Sequence, residues 1–371
     1  MSNSIHTPDR RLLIQTMAMA GSLAALHTPG RALMRPSPGN AANAGAHRGD
    51  WQWLVGNWDV WHRRLKERLA GSDDWIEFTG RSACWLTMGG LGTIDDNVLD
   101  LPGGTYRGAG VRAFDPATGK WSIWWIDGRN PTRIDPPVVG GFEGDEGVFT
   151  GTDSFDGQPI DVRFRWHETR GKRPHWDQAF STDGGKSWEI NWRNYFTRTG
   201  AAPTPLPLLD DSGISPRIHD WDFLAGRWNV HHRRLKDRLA GSNEWIDFDG
   251  TFLNWPILGG QGNVGDNVMN FPGGTIRGVG FRTFDPASEQ WSSWWIDNRN
   301  SSIVDTPLRG GFSAGGTGTF LADDSFRDRP IKVRVIWSRI SATTARWEQA
   351  FSPDRGRNWE TNWISDFTRA A

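Results

Sequence analysis

The chemistry-bearing residues of this chain come in pairs. "HRRLKERLAGS" (His62–Ser72) returns as "HRRLKDRLAGS" (His232–Ser242), and His62 with His232 is the only histidine pair at equivalent positions. An imidazole can move a proton near neutrality. A guanidinium two residues on, Arg64 or Arg234, can hold a carboxylate through a fork of N–H donors. "WSIWWIDGRN" (Trp121–Asn130) and "WSSWWIDNRN" (Trp291–Asn300) add Trp125, Asp127 and Arg129, matched by Trp295, Asp297 and Arg299. Arg107 and Gln178 recur as Arg277 and Gln349. Polar groups of this kind among aromatics suit an organic ligand bearing a carboxylate, carbonyl or hydroxyl. The same set suits proton transfer by His62, with Asp127 orienting it. No metal centre is expected, because no His/Cys ligand spacing occurs and the other histidines are unmatched. No Walker loop, dinucleotide fingerprint or nucleophile elbow is present, so no cofactor is expected.

These residues must be held by strands. "LVGNWDV" (Leu54–Val60) returns as "LAGRWNV" (Leu224–Val230), and "PGGTYRGAGVRAFDPA" (Pro102–Ala117) as "PGGTIRGVGFRTFDPA" (Pro272–Ala287). The spacing is constant until a one-residue insertion late in the second copy. Both copies are complete, so the chain is a tandem duplication. Short alternating runs recur within each copy, among them Trp58–Lys66, Trp75–Ser82, Thr105–Phe114, Trp121–Asp127, Ile160–Trp166, Trp176–Ser181 and Trp188–Phe196. Turn signals such as "AGSD", "DPATGK" and "TDGGKS" separate them. About ten strands per copy imply an all-β chain of two antiparallel barrels. The expected divisions are 1–46 as a tail, 47–198 as the first barrel, 199–217 as a proline-rich linker and 218–371 as the second barrel.

Alternation sets side chains on faces. Trp58, Val60, His62 and Arg64 share one face, and Asp59, Trp61, Arg63 and Leu65 the other. With two apolar members, the first face is expected to point inward. A buried Arg64 then needs a partner, with Asp127 as the candidate, and Asp297 for Arg234. Leu65 and Leu69 also fit a helix, an alternative that survives for one turn over Lys66–Ala70.

"LVGNW" and "LAGRW" resemble the glycine-x-tryptophan opening of lipocalin-like (calycin superfamily) barrels, and each copy is similar to an uncharacterised bacterial lipocalin-like domain family. The resemblance implies an up-and-down barrel that binds a small, mainly apolar or ring-bearing molecule inside. It supplies no catalytic residues. Tandem lipocalin-like carotenoid hydratases keep a hydratase, isomerase or cyclase as the rival. Haem binding through His62 ranks lower, as does glycan binding by exposed tryptophans. "STDGGKSW" (Ser181–Trp188) and "SPDRGRNW" (Ser352–Trp359) fit the Asp-box of sialidase-like propellers. One box per copy is too few for a propeller, so each is read as a hairpin turn.

Composition narrows the partners. The chain has 24 Trp against 2 Tyr, and a net charge of −1 that offers nucleic acid no basic footprint. A small-molecule ligand is the expected partner. Cys84 is the only cysteine, so no intrachain disulfide can form, and a core thiol is expected. Arg10 and Arg11 precede an apolar run, Leu12–Leu26, that is too short to span a bilayer. The stretch resembles a twin-arginine export signal, with "NAANAGA" (Asn40–Ala46) offering small residues for cleavage. It implies a periplasmic or secreted protein; the alternative is a cytoplasmic tail.

Overall fold

The computed structural model describes residues 38–371, apart from Asp211. Arg10, Arg11 and the apolar run Leu12–Leu26 lie outside the described residues. Helix α1 (Pro38–His47) docks on the first barrel: Asn43 Nδ2 donates to the Pro116 carbonyl at 2.9 Å, and the His47 ring stacks on Phe114 at 4.6 Å.

Twenty strands follow, in two closed antiparallel barrels of ten. The first runs β1 (Gly56–Leu65), β2 (Trp75–Thr87), β3 (Gly92–Leu101), β4 (Gly104–Asp115), β5 (Lys120–Asp127), β6 (Val138–Glu143), β7 (Glu146–Phe155), β8 (Gln158–His167), β9 (His175–Ser181) and β10 (Glu189–Gly200). Each strand pairs with its sequence neighbours, and β10 returns to β1. The second repeats this from β11 (Gly226–Leu235) and β12 (Trp245–Ile257) through β13 (Gly262–Phe271), β14 (Gly274–Asp285), β17 (Gly318–Phe326) and β18 (Arg329–Ser338) to β20 (Glu360–Arg369).

A short 3-10 turn before each barrel plugs one end. In the first, Trp58 Nε1 donates to the Leu54 carbonyl at 2.8 Å, and the Arg198 guanidinium lies 4.0 Å from the Trp58 ring. Arg198 donates to the Trp53 and Val55 carbonyls, tying the last strand to the plug. Arg369 repeats this over Trp228 at 4.2 Å, donating to the Phe223 and Ala225 carbonyls. Trp51 and Trp221 seal the same ends at 1% and 4% exposure.

Lys66–Ala70 is not a helical turn. Leu69 takes a left-handed conformation (φ 57°), and its N–H donates to both carboxylate oxygens of Glu189, at 2.8 and 3.0 Å. Glu189 directly follows the Asp-box, whose turn is built as the sequence predicts. Asp183 accepts from the Lys186 and Ser187 amides, Gly185 has φ 81°, and Trp188 Nε1 donates to the Gly185 carbonyl at 2.9 Å. The left-handed leucine breaks the helical periodicity and folds the strand end over the barrel mouth. Leu239 (φ 53°) and Glu360 repeat the device.

The barrels dock through the outer faces of β2–β4 and β12–β14 about a pseudo-twofold. Met88 N donates to Asp266 Oδ1 (3.0 Å), and Leu258 N to Asp96 Oδ1 (2.8 Å). Trp85 packs on Trp255 with centroids 5.5 Å apart. Replacing Arg198 with Met is expected to lower stability by about 1–2 kcal/mol, the cost of a cation–π contact and of hydrogen bonds to two carbonyls. Urea denaturation checks this against Lys172→Ala, an exposed loop change expected to stay within about 0.5 kcal/mol.

Candidate functional site

The first barrel encloses a cavity of about 340 Å³ that opens at the end carrying the β1–β2 loop. At its floor lies a buried ion pair. Arg112 Nη1 donates to Asp95 Oδ2, and both side chains are nearly closed to solvent. Asp95 also accepts from Gly110 N at 2.9 Å, while Arg112 lies 4.5 Å from the Trp51 ring. The carboxylate's lone pairs are met by Arg112, Gly110 and Asn97, while the buried Nε of Arg112 has no hydrogen-bond partner.

His62 stands midway up the wall at 5% exposure, its ring stacked 4.7 Å from Phe78. Its Nδ1 lies 2.6 Å from Asn194 Oδ1, and the Trp192 indole N–H is directed at the same nitrogen at 3.3 Å. Nε2 is turned to Gly80, where a Cβ would fall 2.6 Å away, so only glycine lets the imidazole lie against β2. Burial lowers the His62 pKa to about 4, against the partial restoring effect of Asn194. His232 repeats the arrangement with Ser365 Oγ at 2.8 Å, a stack on Phe248, and a pKa of about 4 for the same leading cause.

At the mouth, Arg64 lies 5.4 Å from the Trp192 ring, and its buried Nε has no hydrogen-bond partner. Arg68, carried inward by the Leu69 turn, lies over Phe155 at 4.4 Å and Phe180 at 5.7 Å. Among the described residues neither arginine is in an ion pair. Burial lowers both pKa values. Asp127 is not the partner of Arg64. It pairs with Arg129 two residues on, whose guanidinium also lies 3.8 Å from the Tyr106 ring. The tight turn after β5 brings Arg129 back onto Asp127 before Arg64 can reach it. Asp297 and Arg299 pair in the same way, so Arg234 lacks the partner expected for it and lies over Phe271 and Trp363.

Trp125, Asp127, Arg129 and Gln178 line the cavity with His62 and Arg64. Gln178 Nε2 is spent on Asn191 Oδ1 at 2.9 Å, and Gln349 likewise on Asn362 at 3.0 Å. Trp295 donates to Asp297 at 2.8 Å and packs by Phe248, Met269 and Ile276. Arg107 and Arg277 do not belong to this set. Alternation puts them on the outer face of β4 and β14, at the interface between barrels. Arg107 pairs with Asp96 at 3.4 Å and reaches the Pro207 carbonyl. A Cβ on Gly259 would stand 3.1 Å from its guanidinium carbon, and one on Gly89 would stand 3.0 Å from Arg277 Nε. Arg63 lies outside as expected, bridging to Glu77 at 3.0 Å.

Arg68, Asp95, Trp192 and Asn194 were not singled out by sequence reasoning, whereas Arg112 and Arg282 were noted only as lying on the strand face opposite Arg107 and Arg277. An acidic residue within the apolar alternation of "TIDDNV" was the signal for Asp95, and the repetition of Arg68 within the doubled stretch was the signal for the mouth. Cys84 is buried and its thiol pKa is pushed up, as a core thiol's is. Among the described residues, no group of three or more His, Cys, Asp or Glu side chains is placed to hold a metal ion.

The second barrel has diverged inside. Phe252 stands where the first has Ser82, and Gly265 where it has Asp95. A Cβ on Gly265 would fall 2.3 Å from the Phe252 ring, so the two changes occupy one space. Arg282, the counterpart of Arg112, keeps only Asn263 Oδ1 (2.8 Å) and the faces of Trp221 and Trp337. Burial pushes its pKa down.

No family model matches the chain, and no curated protein matches it. Similar solved structures include an S-type phycobiliprotein lyase, CPES, from Guillardia theta. It is 9% identical over 41% of this chain and 90% of its own, with a TM-score of 0.30. A protein of unknown function from the DUF3598 family of Nostoc punctiforme is 12% identical over 87% and 99%, with a TM-score of 0.25. Scores this low carry no argument. The strand pairing itself defines a tandem pair of closed ten-stranded barrels, the first holding a cavity.

Two outcomes are expected. Unfolded histidine gains a proton below pH of about 6.5, the folded forms of His62 and His232 only near 4, so stability falls as pH drops through that window. His62→Asn should flatten the dependence by about one proton, a difference of up to about 3 kcal/mol between neutrality and pH 4, read from urea midpoints across pH. In the second barrel, Gly265→Asp alone should destabilise, whereas adding Phe252→Ser should recover at least about 1 kcal/mol by letting the carboxylate reach Arg282. A double-mutant cycle showing no coupling would contradict that reading.

Proposed function

We propose that the first barrel binds a small ring-bearing organic anion. The carrying observation is the pair Arg64 and Arg68, set over aromatic rings at the mouth of the cavity with no carboxylate in contact. A guanidinium partly withdrawn from water with no carboxylate in contact is costly, and a ligand carboxylate or sulfonate would relieve it. The volume of about 340 Å³ lies near the lower end of pockets for small molecules, roughly 300–1,000 Å³, and fits one or two fused rings better than a long lipid. Trp125, Trp176 and Trp192 offer flat apolar walls for such rings.

Binding is favoured over proton-transfer catalysis by the state of His62. It stays neutral down to a pH of about 4, and its Nδ1 is engaged by Asn194 and Trp192. Asp95 and Asp127 are each held by an arginine, which leaves them poorly placed as bases.

Naphthoate is a suitable probe. It should quench tryptophan fluorescence at one equivalent per chain, and Arg64→Gln or Arg68→Gln should weaken it by about tenfold, the loss of one charge-assisted contact. Arg63→Gln, on the outer face, should leave binding unchanged. Equal affinity for naphthoate and its neutral alcohol, or equal effects at Arg63 and Arg64, would refute the reading. Native mass spectrometry of freshly purified protein would show any co-purified anion directly.

A further inference from the structure

The two mouths differ in charge at one turn. In the first barrel the β7–β8 turn places Asp156 (φ 49°) close enough to Arg68 to favour its charged form. In the second, the equivalent turn between β17 and β18 carries Arg327 (φ 51°). Arg327 and Arg238, the counterpart of Arg68, lie over one ring: their guanidinium carbons are 5.2 and 4.7 Å from the Phe326 centroid. Arg238 is also 5.2 Å from Phe351, and Arg234 lies 5.2 Å from Phe271 with its buried Nε unpartnered.

From this geometry we propose that the mouth of the second barrel is a site for a tetrahedral oxyanion, the phosphate or phosphate-ester class, held by Arg234, Arg238 and Arg327. Three guanidiniums gather there, and among the described residues none of them is in an ion pair. A planar carboxylate satisfies one such fork, whereas a tetrahedral dianion can accept from several at once. Nearby acids offset the cluster only in part. Asp297 is engaged by Arg299, and Glu360, held by the Leu239 amide, is the one carboxylate that favours the charge of Arg238. Asp305 is pushed up to about 7 by burial and by Asp297 and Asp324, so it is substantially protonated near neutrality. The repulsion shows on Arg238 itself, whose pKa falls to about 10 through burial and then the charges of Arg234, Arg299 and Arg327. Phe252 and Phe271 fill space that Ser82 and Leu101 leave in the first barrel, so the second mouth favours a head group over a deep ring-bearing ligand.

The test uses full-length protein and inorganic phosphate, followed by calorimetry and by thermal unfolding, with sodium chloride at matched ionic strength as reference. Phosphate should bind saturably and raise the melting temperature more than chloride does. Arg327→Asp restores the residue type of the first barrel at a left-handed position that aspartate tolerates well, so it should fold normally. It should weaken phosphate by at least about tenfold, as should Arg238→Gln. Naphthoate binding in the first barrel should be unchanged in Arg327→Asp, so this proposal and the first can fail separately. Phosphate affinity that survives both substitutions, an effect equalled by chloride, or no binding at all would overturn the assignment.

Discussion

An arginine laid over a tryptophan closes each barrel. A ten-stranded antiparallel sheet has no edge only while its last strand stays against its first. Arg198 and Arg369 secure that seam at the plugged end by holding the plug's carbonyls and covering the tryptophan of the first strand. Everything inward depends on that closure. Ten strands enclose more space than their own aliphatic side chains fill, and tryptophan, the bulkiest residue, takes up much of the remainder. What it leaves in the first barrel is the cavity.

Within this shared frame the copies have separated by linked interior changes. Asp95 and Arg112 form a buried pair in one barrel. In the other, the carboxylate is gone and Phe252 occupies its room, while Arg282 is kept by two indole faces and an amide oxygen. A guanidinium tolerates this better than an ammonium would, being planar, delocalised and more weakly hydrated. The outcome is one barrel that is polar at its floor and one filled with aromatic side chains.

Strand β3 connects the cavity to the docking of the barrels. Asp95 points inward to Arg112, and Asp96, the next residue, points outward and accepts the Leu258 amide of the other barrel. Asp266 does the reverse for Met88. The glycine-rich turns after β2 and β12 each serve the neighbouring barrel, which accounts for Arg107 and Arg277 recurring without any part in the cavity.

The sequence by itself determined the duplication, the all-β class and the inward face of the first strand. These rest on local periodicity: a side-chain repeat of two survives in the order of residues, so Trp58, Val60, His62 and Arg64 could be set on one face without knowing what lay opposite. The Asp-box turn was legible for the same reason, since all its bonds close within a few residues. Only the tertiary structure decided partners. Whether Arg64 meets Asp127 or Asp127 folds back on Arg129 depends on a turn's path, and Glu189 reaches Leu69 across most of the barrel's sequence. Alternation alone also could not say that the outward face of β4 meets a second barrel, and so it could not separate Arg107 from the cavity. Closure brings together residues far apart in the chain, and no local pattern records that distance.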